Sequence, residues 1–171
     1  KKDSASVRRQ AATALGQIGD AGAVEALLAA SANPDDRIVE HAILYALITL
    51  GKPEAVVRAL NDPSENVRRS ALIVLDQMDG SPLRKNHVAP FLQNKHAAIQ
   101  NTGIWVVSHH PGWSDLVIDF LKTKVKGGQL TESEKILLTG LMITFSVEKP
   151  LQDYVSAEMR NSTTTATEKL L

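Results

Sequence analysis

Cysteine is absent from the 171 residues of the chain. This absence excludes a disulfide framework, thiolate zinc sites and cysteine nucleophiles. It leaves the compartment open, because a secreted protein need not contain cysteine. A single domain of this length buries about 70% of the surface that its unfolded chain exposes, so a stable core can form without disulfides or metals.

The chain also lacks an excess of charge of one sign, and it has few aromatic residues. It contains 19 basic and 19 acidic residues, and 4% of its residues are aromatic. A neutral chain has no general attraction to nucleic-acid phosphates, and few aromatic side chains are available to stack on bases. No run approaches the roughly 20 consecutive apolar residues that a membrane span needs. We therefore expect neither a nucleic-acid partner nor membrane insertion.

The sequence contains an internal repeat of apolar residues. Apolar residues recur at i, i+4, i+7, i+8 and i+11, which is one stripe of an α-helix, and a second apolar segment follows each stripe. The stripes begin, 28 to 37 residues apart, at Val7, Val39, Val67, Ile99 and Ile136. This pattern predicts an all-α fold, an α-solenoid of about five helix pairs in one continuous domain.

The repeats are predicted near residues 7–30, 38–61, 66–93, 98–125 and 132–160, and residues 161–171 are predicted to be a linker or the start of a further repeat. Most copies have a small residue at i+4, which predicts close approach of neighbouring helices. The residues at this position are Ala11, Ile43, Ala71, Gly103 and Gly140.

Polar residues and glycines mark the predicted helix ends. Asn33 and Asp62 each precede a proline and are expected to be N-caps, with the proline in the first turn. Thr131 starts a capping box. Gly19 and Gly51 stand where the first helix of a repeat is expected to end in a left-handed residue.

Residues 7–20 and 23–28 resemble a HEAT repeat of the phycobilisome-lyase type, and residues 67–72 have the same opening. The resemblance implies that Arg8 and Arg68 pair with acidic residues of neighbouring turns in a structural ladder. Residues 68–80 also resemble the HEAT portion of large planctomycete-type secreted proteins, which carry c-type cytochrome domains elsewhere. We expect a bacterial protein whose compartment stays open: the bacterial cytoplasm or, if the parent protein is secreted, the periplasm or the extracellular space.

Two histidine-containing segments were weighed as metal sites. His109 and His110 are adjacent, so they diverge on a helix, and no carboxylate follows at i+3 or i+4. Glu40-His41 resembles, in reversed order, the His-Glu pairs of di-iron HEAT-type hydroxylases. The pair occurs once, whereas a di-iron site needs several facing pairs. We expect structural roles for these residues, and no metal or other cofactor.

The first helices present an apolar column at i+6 and i+9, on the side away from the core stripe. This column predicts a protein-binding surface, because contiguous exposed apolar residues usually mark a surface that another molecule covers. Its candidate residues are Tyr45, Ile48, Ile73, Trp105 and Met142. The alternative is that rotation between repeats tilts these columns toward neighbouring first helices. A second candidate surface lies on the second helices, with Glu54 and Arg58 facing outward.

These observations favour a non-catalytic HEAT-repeat scaffold that binds another protein or another domain of the same parent chain. The sequence is expected to be a piece of a larger polypeptide. It shows no catalytic residues and no evident site for a small-molecule substrate. The alternatives are a bilin-lyase-like enzyme or tetrapyrrole-handling accessory protein, implied by the resemblance, and a spacer that binds nothing.

Overall fold

The structure is a computed structural model that describes residues 4–34, 36–126 and 130–168. These residues form helices joined by short loops, and no strand occurs among them. In chain order the helices are α1 (Ala5–Ile18), α2 (Val24–Ala30), α3 (Arg37–Leu50), α4 (Pro53–Ala59), α5 (Glu65–Gln77), α6 (Lys85–Leu92), α7 (Ala97–Ser108), α8 (Ser114–Lys126), α9 (Glu132–Thr144) and α10 (Lys149–Glu168). The all-α fold class is confirmed, with helices in the paired order of an α-solenoid.

The chain divides into two compact units, Lys1–Val106 and Val107–Leu171, and the boundary falls inside α7. In the first unit the predicted stripes of the second, third and fourth copies form the core, since Val39, Val67 and Ile99 are all buried. The stripe predicted for the first copy is wrong: its first residue, Val7, is 53% exposed, and α1 buries Ala12 and Gly16 instead. The structure describes each unit by itself, so the prediction that the two form one continuous domain stays a prediction. None of the described helices is both long and apolar enough to cross a membrane.

The second unit has a core that the sequence pattern assigned incorrectly. Ile136, the predicted start of the fifth stripe, is 73% exposed. Helix α9 instead buries Leu138 and Leu141, and Phe145 is buried just beyond its end. The buried stripe therefore begins two residues later than predicted. The wrong register is possible because α9 has apolar residues on almost every side, so that periodicity does not single out one face.

Three helix ends follow the prediction closely. Gly19 and Gly51 end α1 and α3 with φ of 75° and 59°, the left-handed conformation that glycine adopts without steric cost. Thr131 forms the predicted capping box: the Glu134 N–H donates to Oγ1 of Thr131 at 3.2 Å, and the Thr131 N–H donates to Oε2 of Glu134 at 3.0 Å.

The predicted N-caps Asn33 and Asp62 are wrong, because each helix begins later than the proline. The N–H groups of Ile38 and Val39 donate to Oδ1 of Asp36, so Asp36 caps α3. Asp62 accepts from the N–H of Ser64, one residue before α5 begins. The prolines therefore lie in the loops before the helices, where their missing N–H groups are not needed.

Close packing at the small i+4 residue is confirmed for Gly103, whereas Ala11, the i+4 residue of the first copy, is exposed. A Cβ added at Gly103 would lie 2.8 Å from Cβ of Phe91 on α6, and one added at Gly16 would lie 3.0 Å from Cα of Ala46 on α3. Gly140 differs, because open space surrounds the position of its missing Cβ. The close-approach prediction is therefore wrong for the fifth copy, in keeping with its shifted register.

Arg8 and Arg68 both hold loops through hydrogen bonds to backbone carbonyl oxygens. Arg68 Nη1 donates to the carbonyl oxygens of Asp62 and Pro63 at 2.7 and 3.0 Å. Arg8 likewise donates to the carbonyl oxygens of Ala30, the last residue of α2, and of Asn33 in the loop that follows. Arginine takes this role because its planar fork reaches two acceptors at once. Arg68 also lies 3.6 Å from Glu65, on its own helix.

Gln100 occupies the position on α7 that Arg68 occupies on α5, and its side chain also donates hydrogen bonds to backbone carbonyl oxygens. Its Nε2 donates to the carbonyl oxygens of Leu92 and Asn94 at 2.9 and 3.1 Å. These carbonyls lie at the end of α6 and just beyond it, where no intrahelical donors remain.

Helix α10 continues to Glu168, so residues 161–168 are helical where a linker or the start of a further repeat was expected. Extending an existing helix adds one hydrogen bond per residue and avoids the cost of nucleation, which offsets the low helix propensity of the serine and threonine residues. Residues 169–171 of the predicted linker lie outside the described residues.

Candidate protein-binding groove

A groove of about 700 Å³ crosses the first helices of the second, third and fourth repeats, all within the first unit. Two helices form its walls, each with residues at i, i+3, i+4 and i+7, which share one face of a helix. The α3 wall consists of Arg37, Glu40, His41 and Leu44. The α7 wall consists of Ala98, Asn101, Thr102 and Trp105.

The floor between these walls belongs to α5, which contributes Arg69 and Ile73. At about 100° per residue, the α3 wall is centred roughly 50° to one side of the direction opposite the core, and the α7 wall roughly 50° to the other side. The two walls are therefore opposite flanks of their helices and face each other across α5. Helices with the same core stripe can therefore form a concave surface, because each outer helix turns the flank nearer to α5 toward the groove.

A line of polar side chains crosses the floor and joins the three helices. Oε1 of Glu40 lies 3.2 Å from Nη2 of Arg69, and Nε of Arg69 donates to Oγ1 of Thr102 at 3.3 Å. The side chains of Glu40 and Arg69 are only 21% and 27% exposed. Because they are largely shielded from water, this ion pair is stronger than one on an open surface.

One helical turn beyond the polar line, the groove becomes apolar. Leu44, Ile73 and Trp105 come from α3, α5 and α7 respectively. Leu44 and Ile73 are half-buried, and Trp105 is 41% exposed. Tryptophan supplies a large apolar surface with a hydrogen-bond donor and is frequent at the centre of protein interfaces. This end of the groove therefore suits a large apolar side chain of a partner.

The structure brings together two of the candidate residues in the apolar column, Ile73 and Trp105. Tyr45 is 61% exposed but does not line the groove. It is about 90° around α3 from the centre of that wall, because the groove uses a different flank on each helix. Ile48 is half-buried and does not line the groove either. The predicted column and the groove therefore share only Ile73 and Trp105.

Met142 lies on α9 in the second unit. It lines a smaller groove of about 310 Å³ together with Leu151 and Val155 of α10. Since the buried stripe of α9 begins two residues later than predicted, Met142 does not occupy the same helical position as Trp105.

Glu54 and Arg58 are both exposed on α4, as the sequence pattern predicted for outward-facing positions. Arg58 Nη2 lies 3.2 Å from Oε1 of Glu25 on α2, and these side chains are 70% and 73% exposed. An exposed pair of this kind contributes about 0–1 kcal/mol to stability. Glu54 and Arg58 form a solvated, mixed-charge surface separate from the groove.

Sequence reasoning missed several groove residues, most clearly Arg37 and Leu44. If the same repeat position faced the same way in every copy, Tyr45 would line the groove on α3. The wall instead consists of other positions of that helix. Glu40 was weighed only as a metal ligand. The available signal was the i, i+3, i+4, i+7 spacing on α3, with residues of opposite charge, Glu40 and Arg69, in adjacent repeats.

The two histidine-containing segments have contacts other than metal coordination. The rings of His110 and Trp113 stack with centroids 4.1 Å apart and an angle of 12° between their planes. Glu40 pairs with Arg69, as described above. Within the described parts of the chain, no group of three or more histidine, aspartate or glutamate residues is placed to hold a metal ion.

Comparison with known families agrees with the helical architecture. Residues 1–48 match the family model described as HEAT repeats. The match covers under a third of the chain, from α1 to most of α3. None of the curated proteins matches the chain. The family match and the paired helices together support a HEAT-repeat protein, while the narrower resemblances to phycobilisome lyases and planctomycete proteins stay predictions.

Proposed function

We propose that this chain is a non-catalytic HEAT-repeat scaffold whose first-helix groove binds another protein or another domain of its own polypeptide. The observation that carries the proposal is the apolar end of the groove, where Leu44, Ile73 and Trp105 from three successive repeats surround one concave surface. HEAT repeats commonly act as protein-interaction scaffolds, which supports the same function.

The polar line in the floor supports this proposal in a second way. Glu40, Arg69 and Thr102 connect the three helices, so the groove has a defined shape before a partner arrives. A binding surface that is already ordered loses less conformational entropy on association. A partner therefore gains more from burying Trp105 than it would on a flexible surface.

The test is affinity capture with the full chain and matched variants. Trp105→Ser removes the aromatic side chain from the groove, whereas Tyr45→Ser removes an exposed aromatic side chain outside it. Circular dichroism first establishes that both variants are as helical as the wild type. Each captured protein is then purified and its affinity for the three chains is measured by titration calorimetry.

We expect the affinity to fall at least tenfold for Trp105→Ser and to stay unchanged for Tyr45→Ser. Loss of affinity only in Tyr45→Ser would contradict the groove and place the site on the other flank of α3. Equal binding by both variants, with a loss in a Glu54→Ala/Arg58→Ala variant, would instead place the site on the second helices.

A further inference from the structure

The charges that line the groove are unequal. Among the described residues that line it, the one carboxylate is that of Glu40, which is bonded to Arg69, so these two charges balance. Arg37 and His41 lie on the same wall, and their side chains have no hydrogen-bond or ion-pair partner among the described residues. The groove therefore presents at least one unpaired positive charge.

Two acidic residues of the described chain that lie near the starts of α3 and α5, Asp36 and Glu65, are already engaged. Asp36 accepts hydrogen bonds from the N–H groups at the start of α3. Glu65, at the start of α5, lies 3.6 Å from Arg68 and 3.3 Å from His96. Neither carboxylate pairs with Arg37, so the guanidinium group of Arg37 remains available to a ligand.

Arg37 and the apolar end of the groove are a fixed distance apart. Arg37 precedes Leu44 by seven residues on α3, which is two turns or about 10 Å along the helix axis. A ligand lying along the groove meets a cation at one end and an apolar surface at the other. The polar line of Glu40, Arg69 and Thr102 separates these two ends.

We propose, building on the function proposed above, that the groove binds an acidic segment of another protein that also carries a large apolar residue. A carboxylate of this segment pairs with Arg37, and the apolar side chain packs on Leu44, Ile73 and Trp105. In a helical segment the two groups stand about seven residues apart. A bidentate arginine–carboxylate pair fixes the orientation of the segment in the groove.

Selection from a displayed library of random 12-residue peptides tests this inference on the full chain. The library is selected against the wild type, and the enriched peptides are synthesised. Their affinities are then measured for the wild type, Arg37→Glu, Trp105→Ala and Arg58→Glu. Arg58→Glu is the matched control, because it makes the same charge change on α4, outside the groove. Circular dichroism and thermal unfolding establish that all four chains are folded.

We expect the enriched peptides to combine aspartate or glutamate with leucine, phenylalanine or tryptophan. Their affinity should fall at least tenfold for Arg37→Glu and for Trp105→Ala, and should stay unchanged for Arg58→Glu. Raising the salt concentration should weaken binding to the wild type and have less effect on Arg37→Glu, because salt screens the ion pair.

Two outcomes would overturn the acidic partner and leave the proposed function in place. One is enrichment of peptides without acidic residues that still require Trp105. The other is equal affinity of acidic peptides for wild type and Arg37→Glu, with loss in Trp105→Ala. Absence of any peptide whose binding depends on Trp105 would contradict both proposals. Self-association of the wild type that Trp105→Ala abolishes, seen by sedimentation, would replace the acidic segment with a second copy of the chain.

Discussion

Glu40 and Arg69 stand on the first helices of successive repeats, with 3.2 Å between Oε1 of the glutamate and Nη2 of the arginine. The same guanidinium group donates from Nε to Thr102 on the next first helix. A single side chain on α5 thus bonds to both neighbouring helices. The residues that shape the groove are also residues that hold three repeats together.

This relationship predicts a measurable coupling in a double-mutant cycle of Glu40→Gln and Arg69→Gln. We expect about 1 kcal/mol of coupling in the free energy of unfolding, because the pair is largely shielded from water. Urea denaturation of the four chains measures it. The control cycle uses Glu25 and Arg58, which are the same 3.2 Å apart but mostly exposed. Equal coupling in the two cycles would contradict the role given to shielding.

Replacing two helical glycines by alanine should have opposite effects on stability. Gly103→Ala should lower the free energy of unfolding by about 1–3 kcal/mol, because the new Cβ would overlap Phe91. Gly140→Ala should raise it by about 1 kcal/mol, since alanine favours the helix and meets no neighbouring atoms. Thermal and urea denaturation measure both. A stabilised Gly103→Ala would show that α7 and α6 separate at little cost.

Removing the side-chain amide of Gln100 should destabilise the first unit. Gln100→Leu leaves the carbonyl oxygens of Leu92 and Asn94 without this donor, and we expect a loss of about 1 kcal/mol in the free energy of unfolding. Gln93→Leu is the matched control, because Gln93 is exposed and its side chain has no hydrogen-bond partner among the described residues. Equal losses in the two variants would contradict this account.

Glu134 should make the second unit sensitive to acid. The hydrogen bond from Lys124, at 2.8 Å, and then those from Thr131 lower the pKa of Glu134 from 4.5 to about 2. Because the folded-state pKa is the lower one, the stabilising contribution is fully present above pH 4.5. It is lost as the pH falls through the folded-state value of about 2.

The measurement is urea denaturation of wild type and Glu134→Gln between pH 7 and pH 2. Wild type should be the more stable chain at pH 7, and the difference should shrink below pH 4.5 and nearly disappear at pH 2. In a Lys124→Met background the difference at pH 7 should be smaller. A difference that does not change with pH would contradict the depressed pKa.

The second and third repeats could be predicted from the sequence because the apolar periodicity and the residues that end the helices agree there. Val39 and Val67 begin stripes that are buried, and Gly51 ends its helix as expected. In α9, by contrast, Ile136 and Ile143 are as apolar as the buried Leu138. Composition alone therefore does not decide which face of α9 is buried.

The candidate site was predictable only in part, for a geometric reason. Ile73 and Trp105 were found because α5 and α7 present the expected position toward the groove. Arg37 and Leu44 were not found, because α3 presents a different flank. The flank of a helix that lines the groove depends on where the neighbouring helices lie, so the pattern of a single repeat does not determine it.

A groove whose walls stand two repeats apart has a mechanical consequence. Its width depends on the angles of α3 and α7 to α5, so bending the stack of first helices widens or narrows it. A partner held by both walls therefore resists bending, and bending in turn changes the affinity for the partner, because the two effects are thermodynamically linked. The segment formed by residues 37–105 would therefore resist bending more strongly when a partner fills the groove than when the groove is empty.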